Sequence, residues 1–212
     1  MAREGAAWSE VMPATDVETR FLAGLEALNV EVLRHDVTVD PRPGDPFDLI
    51  HARNVLFHLP ERDHVLDRLV SWLRPGGWLL VEDSFMMRDL VPWPVLARFY
   101  AALEALLAAR VGSDYRWPLT LPGLLRARGL VRTGAAACIP EDGPAGAPEE
   151  QLAASPAAET RRLMFQQLRP AMLSAGLISE ADAGAIEEAL DDPTLVHFAG
   201  GIVSAWGRRP PD

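Results

Sequence analysis

Apolar and polar positions along the first part of the chain alternate between strand-like and helix-like patterns. A weakly apolar segment from about Trp8 to Thr15 ends at Asp16, and Val17 opens a segment with helical spacing. Val30–Arg34 then alternates apolar and polar residues before a Pro/Gly/Asp-rich loop. The pattern predicts a strand, a helix and a second strand, with an acid after each strand.

The next stretch repeats this order with stronger apolar segments. Phe47–Ile50 predicts a buried strand, His51–His58 a polar loop, and Arg62–Leu73 a helix with an apolar stripe. Arg74–Gly77 contains the Pro-Gly-Gly sequence that ends a helix, and Trp78–Val81 predicts a strand buried on both faces.

The remaining sequence predicts mostly helices, followed by two late strands. Leu96, Phe99, Tyr100, Leu103, Leu106 and Leu107 recur every three or four residues and predict one long helix. The other predicted elements are helices at Leu119–Arg128, Ala158–Ala175 and Glu180–Leu190, strands at Val131–Ile139 and Leu195–Trp206 (with a glycine bulge), and a surface loop at 141–150.

Strands that alternate with helices predict an α/β fold. We expect a mostly parallel sheet with helices on both faces, right-handed crossovers and an antiparallel C-terminal edge. The length of 212 residues predicts one domain, 1–212, with a core at 8–84, a helical cover at 85–129 and C-terminal strands and helices at 130–207.

Charge and cysteine content restrict the classes of partner. A net charge of −10 argues against nucleic acid or an anionic membrane as the main partner and favours a small neutral or cationic ligand. Cys138 is the single cysteine, so an intrachain disulfide is excluded and a reducing cytoplasm is the expected location. No apolar run approaches the roughly 20 residues of a membrane span, and the N-terminus lacks a signal-peptide core.

Residues that follow parallel strands are the first candidates for ligand binding. Open parallel sheets bind ligands beyond the carboxyl ends of their strands, so we expect Asp16, Asp36 and the His51–His58 loop to converge. Two simpler interpretations stay open. Asp16 is equally well placed to cap the helix beginning at Val17, and Asp36 taken alone fits a solvated acid at a strand end.

The order FDLI, HLP and LRPGGWL within Phe47–Asp83 resembles class I S-adenosylmethionine-dependent methyltransferases. The resemblance extends from Val11 to Asp83, and the closing VSAWGRRP is similar to the last strand of actinobacterial small-molecule members. It implies a Rossmann-like fold, S-adenosylmethionine as cofactor, and methyl transfer to oxygen, nitrogen or carbon of a small-molecule acceptor in biosynthesis. A non-catalytic methyltransferase-like scaffold or subunit is the alternative.

The resemblance also implies roles for individual residues in cofactor binding. Asp16 takes the place of the acid that holds the cofactor ribose. Asp36 takes the place of the acid facing the adenine amino group, and Val37 supplies a backbone amide. The residues implied for the methionine half are His51, Ala52 and Asn54.

Candidates for the chemistry and for the acceptor come from the loop after the third strand and from later aromatics. His58 is the candidate general base, since an imidazole accepts a proton near neutral pH. Its structural alternative, a cap on the following helix, is favoured about two to one. Trp93, Tyr100 and Trp117 are candidate acceptor contacts, with core packing as the alternative, favoured for Tyr100. The histidines lack metal-ligand spacing, so no metal site is expected.

The glycine-rich cofactor turn of the family, with its preceding strand, has no counterpart before Asp16. Only fifteen residues precede Asp16, which is enough for one strand. Three explanations are open: a truncated or mis-started version of a larger enzyme, a short protein that closes the gap differently, or a partner chain that supplies the piece. We expect the first. Assembly as a homo-oligomer or with a partner chain is left open.

Overall fold

The computed structural model describes residues 12–22, 29–139, 156–192, 195 and 199–212. It divides into two compact units, Met1–Pro46 and Phe47–Asp212, and each is described by itself. The expectation of a single domain over 1–212 stays a prediction. The loop predicted at 141–150 lies outside the described residues.

The first unit contains two parallel strands. β1 (Met12–Asp16) pairs in register with β2 (Val30–Arg34), so that Asp16 lies opposite Arg34. A 3-10 turn at Thr19–Leu22 occupies the start of the helix predicted from Val17. The rest of that predicted helix, 23–28, lies outside the described residues.

The second unit contains a four-stranded sheet in the order β3-β4-β6-β5. The parallel pair is β3 with β4, and β6 runs antiparallel to both β4 and β5. The last strand in sequence therefore lies inside the sheet, and β5 forms its edge. The α/β prediction with antiparallel C-terminal strands is confirmed. The strands are β3 (Phe47–Arg53), β4 (Leu73–Met86), β5 (Val131–Cys138) and β6 (Gly200–Arg208).

Five α-helices are described in the second unit, and their buried stripes follow the predicted spacing. Ser179 caps the last of them by accepting the Asp182 amide. No helix among the described residues is long and apolar enough to cross a bilayer. The helices are α1 (Arg62–Trp72), α2 (Pro94–Val111), α3 (Leu121–Ala127), α4 (Pro156–Ser174) and α5 (Glu180–Asp191).

Two strand boundaries differ from the sequence prediction. β3 continues beyond Ile50 to Arg53, so His51 and Ala52 lie in the strand and not in the loop after it. β4 begins at Leu73, predicted as the last helical residue, and runs on to Met86. The reason is tertiary: pairing with β3 and β6 supplies hydrogen bonds that extend β4 past the apolar run.

The predicted double-sided burial of these strands is also wrong. Within β4, Leu79 and Val81 are fully buried, whereas Trp78 and Leu80 are half-buried. In β3 the side chain of Leu49 is 55% exposed. An apolar run does not reveal which sheet face is covered. Among the described residues, β3 pairs with a strand on one side only.

One apolar core of the second unit lies between α2, α4 and α5. Phe99 and Phe165 are fully buried and meet edge to face with ring centroids 5.4 Å apart. Leu103, Met172 and Ile186 are buried in the same cluster. Trp93, one of the predicted acceptor contacts, lies between β4 and α2 and packs against this core.

The glycines near the start of β6 serve close strand approach and not the predicted bulge. Gly200 and Gly201 pair regularly with Met86 and Phe85 of β4. A Cβ on Gly201 would collide with the carbonyl of Cys138, and one on Gly200 with the carbonyl of Phe85. Glycine is therefore required there by backbone proximity.

Candidate functional site

The candidate site in the second unit is built on the turn that follows β3. Asn54 ends the strand with φ of +52°, a left-handed conformation that is uncommon outside glycine. Its amide donates to the Glu82 carbonyl at 2.8 Å, and its side-chain Oδ1 accepts the Ser84 hydroxyl at 2.8 Å. Hydrogen bonds with β4 thus hold both the backbone and the side chain of Asn54 in this strained conformation. Such strain is often found at functional sites.

Asp83 of β4 binds this turn from inside the protein. Its side chain is fully buried, and its two oxygens accept the amides of Val55 at 3.0 Å and Phe57 at 3.1 Å. Burial raises the pKa of Asp83 to about 6, against the lowering effect of the Val55, Phe57 and Leu56 amides and of Arg62. The sequence analysis missed this residue. Its signal was an acid on the alternating buried face of Leu79, Val81 and Phe85.

His58, the candidate base, lies at the end of the same turn. Its Nδ1 is 2.7 Å from the hydroxyl of Ser113, a residue that is 5% exposed. Its ring contacts the Phe57 ring at a tilt of 37° with centroids 3.8 Å apart, and burial lowers the pKa of His58. A neutral imidazole at pH 7 is able to accept a proton.

The turn is joined to the loop after α2. The Phe57 carbonyl accepts the Asp114 amide at 2.8 Å. Arg62 of α1 donates to the Gly112 carbonyl and forms an ion pair with Asp114 at 3.4 Å. Asp114 also accepts the Trp117 amide at 3.1 Å. Two loops far apart in sequence therefore form one wall at the carboxyl end of β3 and β4.

A second polar group crosses three strands on the half-exposed face of the sheet. The Nε2 of His51 is 2.9 Å from Oε2 of Glu82, and the Ser204 hydroxyl donates to Oε1 of Glu82 at 2.6 Å. The hydrogen bonds from Ser204 and then from His51 lower the pKa of Glu82. The carboxylate orients His51, and Ala52 beside it is half-buried.

The first unit contains the other three predicted cofactor residues. Asp16 is exposed at the end of β1, and its Oδ1 accepts the Glu18 amide at 2.8 Å, which is the predicted capping contact. Asp36 accepts the Thr38 hydroxyl and amide at 2.6 and 2.9 Å, and these bonds lower its pKa. Val37 lies in the same turn and is half-buried. The two acids lie after parallel neighbouring strands.

The candidate acceptor contacts differ in exposure. Tyr100 is 3% exposed and belongs to the core between α2, α4 and α5, which is the packing alternative; Trp93 is partly buried against the same core. Trp117 is 8% exposed, and its Nε1 is buried without a hydrogen-bond partner among the described residues. Trp117 is joined to the 54–58 turn through Asp114, whose amide donates to the Phe57 carbonyl.

Two further groups lie near this wall and are not among the predicted site residues. Tyr115 contacts the Phe57 ring with centroids 5.0 Å apart, and burial, together with the charge of Glu104, raises its pKa to about 12. Glu104 pairs with Arg88 at 3.2 Å, and burial raises the pKa of Glu104. A half-buried carboxylate, a guanidinium and a phenol thus lie after β4. Nothing in their spacing distinguishes them from ordinary surface charges.

Comparison with known proteins gives a family match in the first third of the chain. Residues 8–79 match a family model described as a methyltransferase domain. Methyltransferase str2 of Strobilurus tenacellus is 38% identical over 72 residues, 32% of this chain and 26% of that protein. Phosphoethanolamine N-methyltransferase 3 of Arabidopsis thaliana is 33% identical over 55 residues, 26% of this chain and 11% of that protein. The matches thus span 26% and 11% of these relatives.

Solved structures resemble the chain more broadly but more weakly. A putative methyltransferase of Bacillus halodurans is 14% identical, with 93% of this chain and 82% of that chain covered and a TM-score of 0.47. The plantazolicin methyltransferase BpumL, solved with S-adenosylhomocysteine, is 11% identical, with 94% and 67% covered and a TM-score of 0.46. Scores at this level support no conclusion about activity.

Proposed function

We propose that this chain binds S-adenosylmethionine and transfers its methyl group to a small-molecule acceptor, because residues 8–79 match a family model described as a methyltransferase domain. The family match is the observation that carries the proposal. The candidate cofactor contacts are those predicted from the sequence. They are Asp16, Asp36 and Val37 in the first unit, and His51, Ala52 and Asn54 in the second.

The chemistry of these residues fits such a cofactor at two points. The exposed carboxylate of Asp16 uses Oδ1 for the Glu18 amide, and a carboxylate has about four acceptor sites, so capacity remains for two ribose hydroxyls. The Asn54 side chain is exposed and its Oδ1 is occupied by Ser84. Its NH₂ group is then left to donate to a carboxylate such as that of the methionine half.

The sulfonium of the bound cofactor supplies an already activated methyl group. The protein's task is then to hold the acceptor in line with the carbon–sulfur bond, so that the acceptor–carbon bond forms as the carbon–sulfur bond breaks. For a hydroxyl acceptor a proton must also be removed. His58 is the proposed base, because its lowered pKa keeps the imidazole neutral at pH 7.

The wall beside the turn supplies the proposed acceptor contacts. Trp117 offers an indole N–H that is buried without a partner among the described residues, and it is the proposed donor to the acceptor. Trp93 and Tyr100 remain proposed contacts, although their packing against the helical core leaves less surface for a ligand.

Calorimetric titration of the purified 212-residue protein with S-adenosylmethionine and S-adenosylhomocysteine tests the proposal. We expect micromolar affinity, lost in Asp16→Ala because the ribose acceptor is removed. His58→Gln should keep the binding heat and lose turnover, since the base is not a cofactor contact. A protein that gives no heat with either ligand is not a methyltransferase in this form.

The alternative function is a non-catalytic, methyltransferase-like scaffold or subunit. The observation that favours it is the outer edge of β3, a strand that pairs on one side only among the described residues and exposes Leu49. The same titration separates the two functions, because a folded scaffold is expected to give no heat.

A further inference from the structure

We propose that Asp83 is the positioning residue of the site: its carboxylate holds the turn Val55–Phe57, and through Phe57 it also fixes the loop Gly112–Asp114. The positioning role depends on the proposed function only for the identity of the ligand that would bind beside the turn. The turn follows β3, the loop follows α2, and Asp83 lies on β4, so one side chain connects three separate segments.

The first step is the geometry of the carboxylate. The 3-10 turn Leu56–His58 has no side-chain cap of its own at Val55. Its leading amides instead donate across the fold to Asp83, Val55 to Oδ1 and Phe57 to Oδ2. Because Asp83 is fully buried, water does not compete for these amides. The turn thus depends on β4 for the cap that its local sequence lacks.

The second step is transmission to the loop after α2. Phe57 uses its amide for Asp83 and its carbonyl for the Asp114 amide, so the peptide chain of the turn links the two contacts directly. His58 adds the contact with Ser113 at 2.7 Å. A shift of the turn would therefore move the candidate base and the loop that leads to Trp117 together.

The third step is the cost of a carboxylate at this place. Position 83 belongs to the buried face of β4 with Val81 and Phe85, where an apolar residue would suit the core better. Burial raises the pKa of Asp83 despite the amides. Arg62 of α1 is the charged group that acts on Asp83, and Arg62 in turn pairs with Asp114 of the loop. The acceptor role of Asp83 explains why an acid lies at this buried position.

Nuclear magnetic resonance of the ¹⁵N-labelled protein tests the clamp directly. The amide protons of Val55 and Phe57 should move upfield as the pH falls, with a midpoint near the Asp83 pKa of about 6, because a protonated carboxyl is a weaker acceptor. The Asp114 amide should shift with the same midpoint. If the Val55 and Phe57 amides of the unmodified protein do not titrate, the clamp is refuted, whether or not any variant folds.

Asp83→Asn provides the functional readout, with Glu188→Gln as control because Glu188 is an exposed carboxylate on α5. The folded Asp83→Asn protein should show no titration at Val55 and Phe57 and bind S-adenosylhomocysteine about tenfold more weakly, whereas Glu188→Gln should match the parent. Unchanged affinity in folded Asp83→Asn contradicts the positioning role. Titrating amides without binding heat in the parent support the clamp and reject the proposed cofactor function.

Discussion

At the scale of single residues, Glu82 and Asp83 show how strand geometry separates two adjacent carboxylates. Successive side chains of a strand point to opposite faces, so Glu82 lies on the half-exposed face and Asp83 in the core. Hydrogen bonds from Ser204 and His51 lower the pKa of Glu82, whereas burial raises that of Asp83. As the pH changes, the contributions of these two acids to the stability of the fold should therefore change in opposite directions.

The Asp83 carboxyl should weaken the folded state as the pH rises. Its pKa is about 6 when folded and 3.8 ordinarily, so the folded protein binds the proton more tightly. This contribution is fully present below pH ~4 and is lost through pH ~6, a change of about 3 kcal/mol. The stability advantage of the parent protein over Asp83→Asn should shrink by this amount between pH ~4 and ~7, measured by urea unfolding.

The comparison with Asp83→Asn cancels the other titrating groups, which both proteins share. Glu188→Gln serves as the control, and its difference from the parent should hardly change over the same range because Glu188 is exposed. A parent-minus-variant difference that grows with pH would show that the Asp83 pKa is lowered by the amides and not raised by burial.

At the scale of elements, β6 depends on glycine for its place between β4 and β5. Gly201 pairs with Phe85 on one side, and its Cα approaches the Cys138 carbonyl on the other. The sequence prediction located the strand and its glycines correctly but interpreted the glycines as a bulge. The physical reason is that close approach depends on the neighbouring strands, which local sequence does not specify.

Gly201→Ala should destabilise the protein because the added methyl meets a backbone carbonyl that has no room to move within the sheet. We expect a loss of about 1–3 kcal/mol in the free energy of unfolding. Gly184→Ala on α5 is the matched control, since a Cβ there meets nothing within 4 Å. In a helix this change should stabilise by about 0.5–1 kcal/mol. Equal effects of the two substitutions in thermal unfolding would contradict the close-approach explanation.

At the scale of the whole molecule, a buried apolar cluster of the second unit lies between α2, α4 and α5. Phe165 of α4 is fully buried against Phe99, whereas Leu163, two residues earlier on the same helix, is 54% exposed. The amphipathic pattern of these helices was readable from the sequence. The packing of these helices against one another was not readable from the sequence. An amphipathic pattern shows which face of a helix is buried, but not which element packs against that face.

Phe165→Ala should lower the free energy of unfolding by about 3–5 kcal/mol, since it removes a buried ring and leaves a cavity. This is a large part of the stability of a typical domain, about 5–15 kcal/mol. Leu163→Ala on the same helix should change stability by less than about 0.5 kcal/mol. Similar losses for both, measured by urea unfolding, would show that α4 does not pack through Phe165.

Local periodicity and turn chemistry were enough to predict the order of strands and helices and the apolar helix faces. The tertiary structure was needed to show that β6 lies between β4 and β5, that β3 pairs on one side only among the described residues and exposes Leu49, and that Asp83 binds the turn before His58. These features depend on which segments meet. Contacts between residues 26 or more positions apart, such as Phe57 with Asp83, leave no period in the chain.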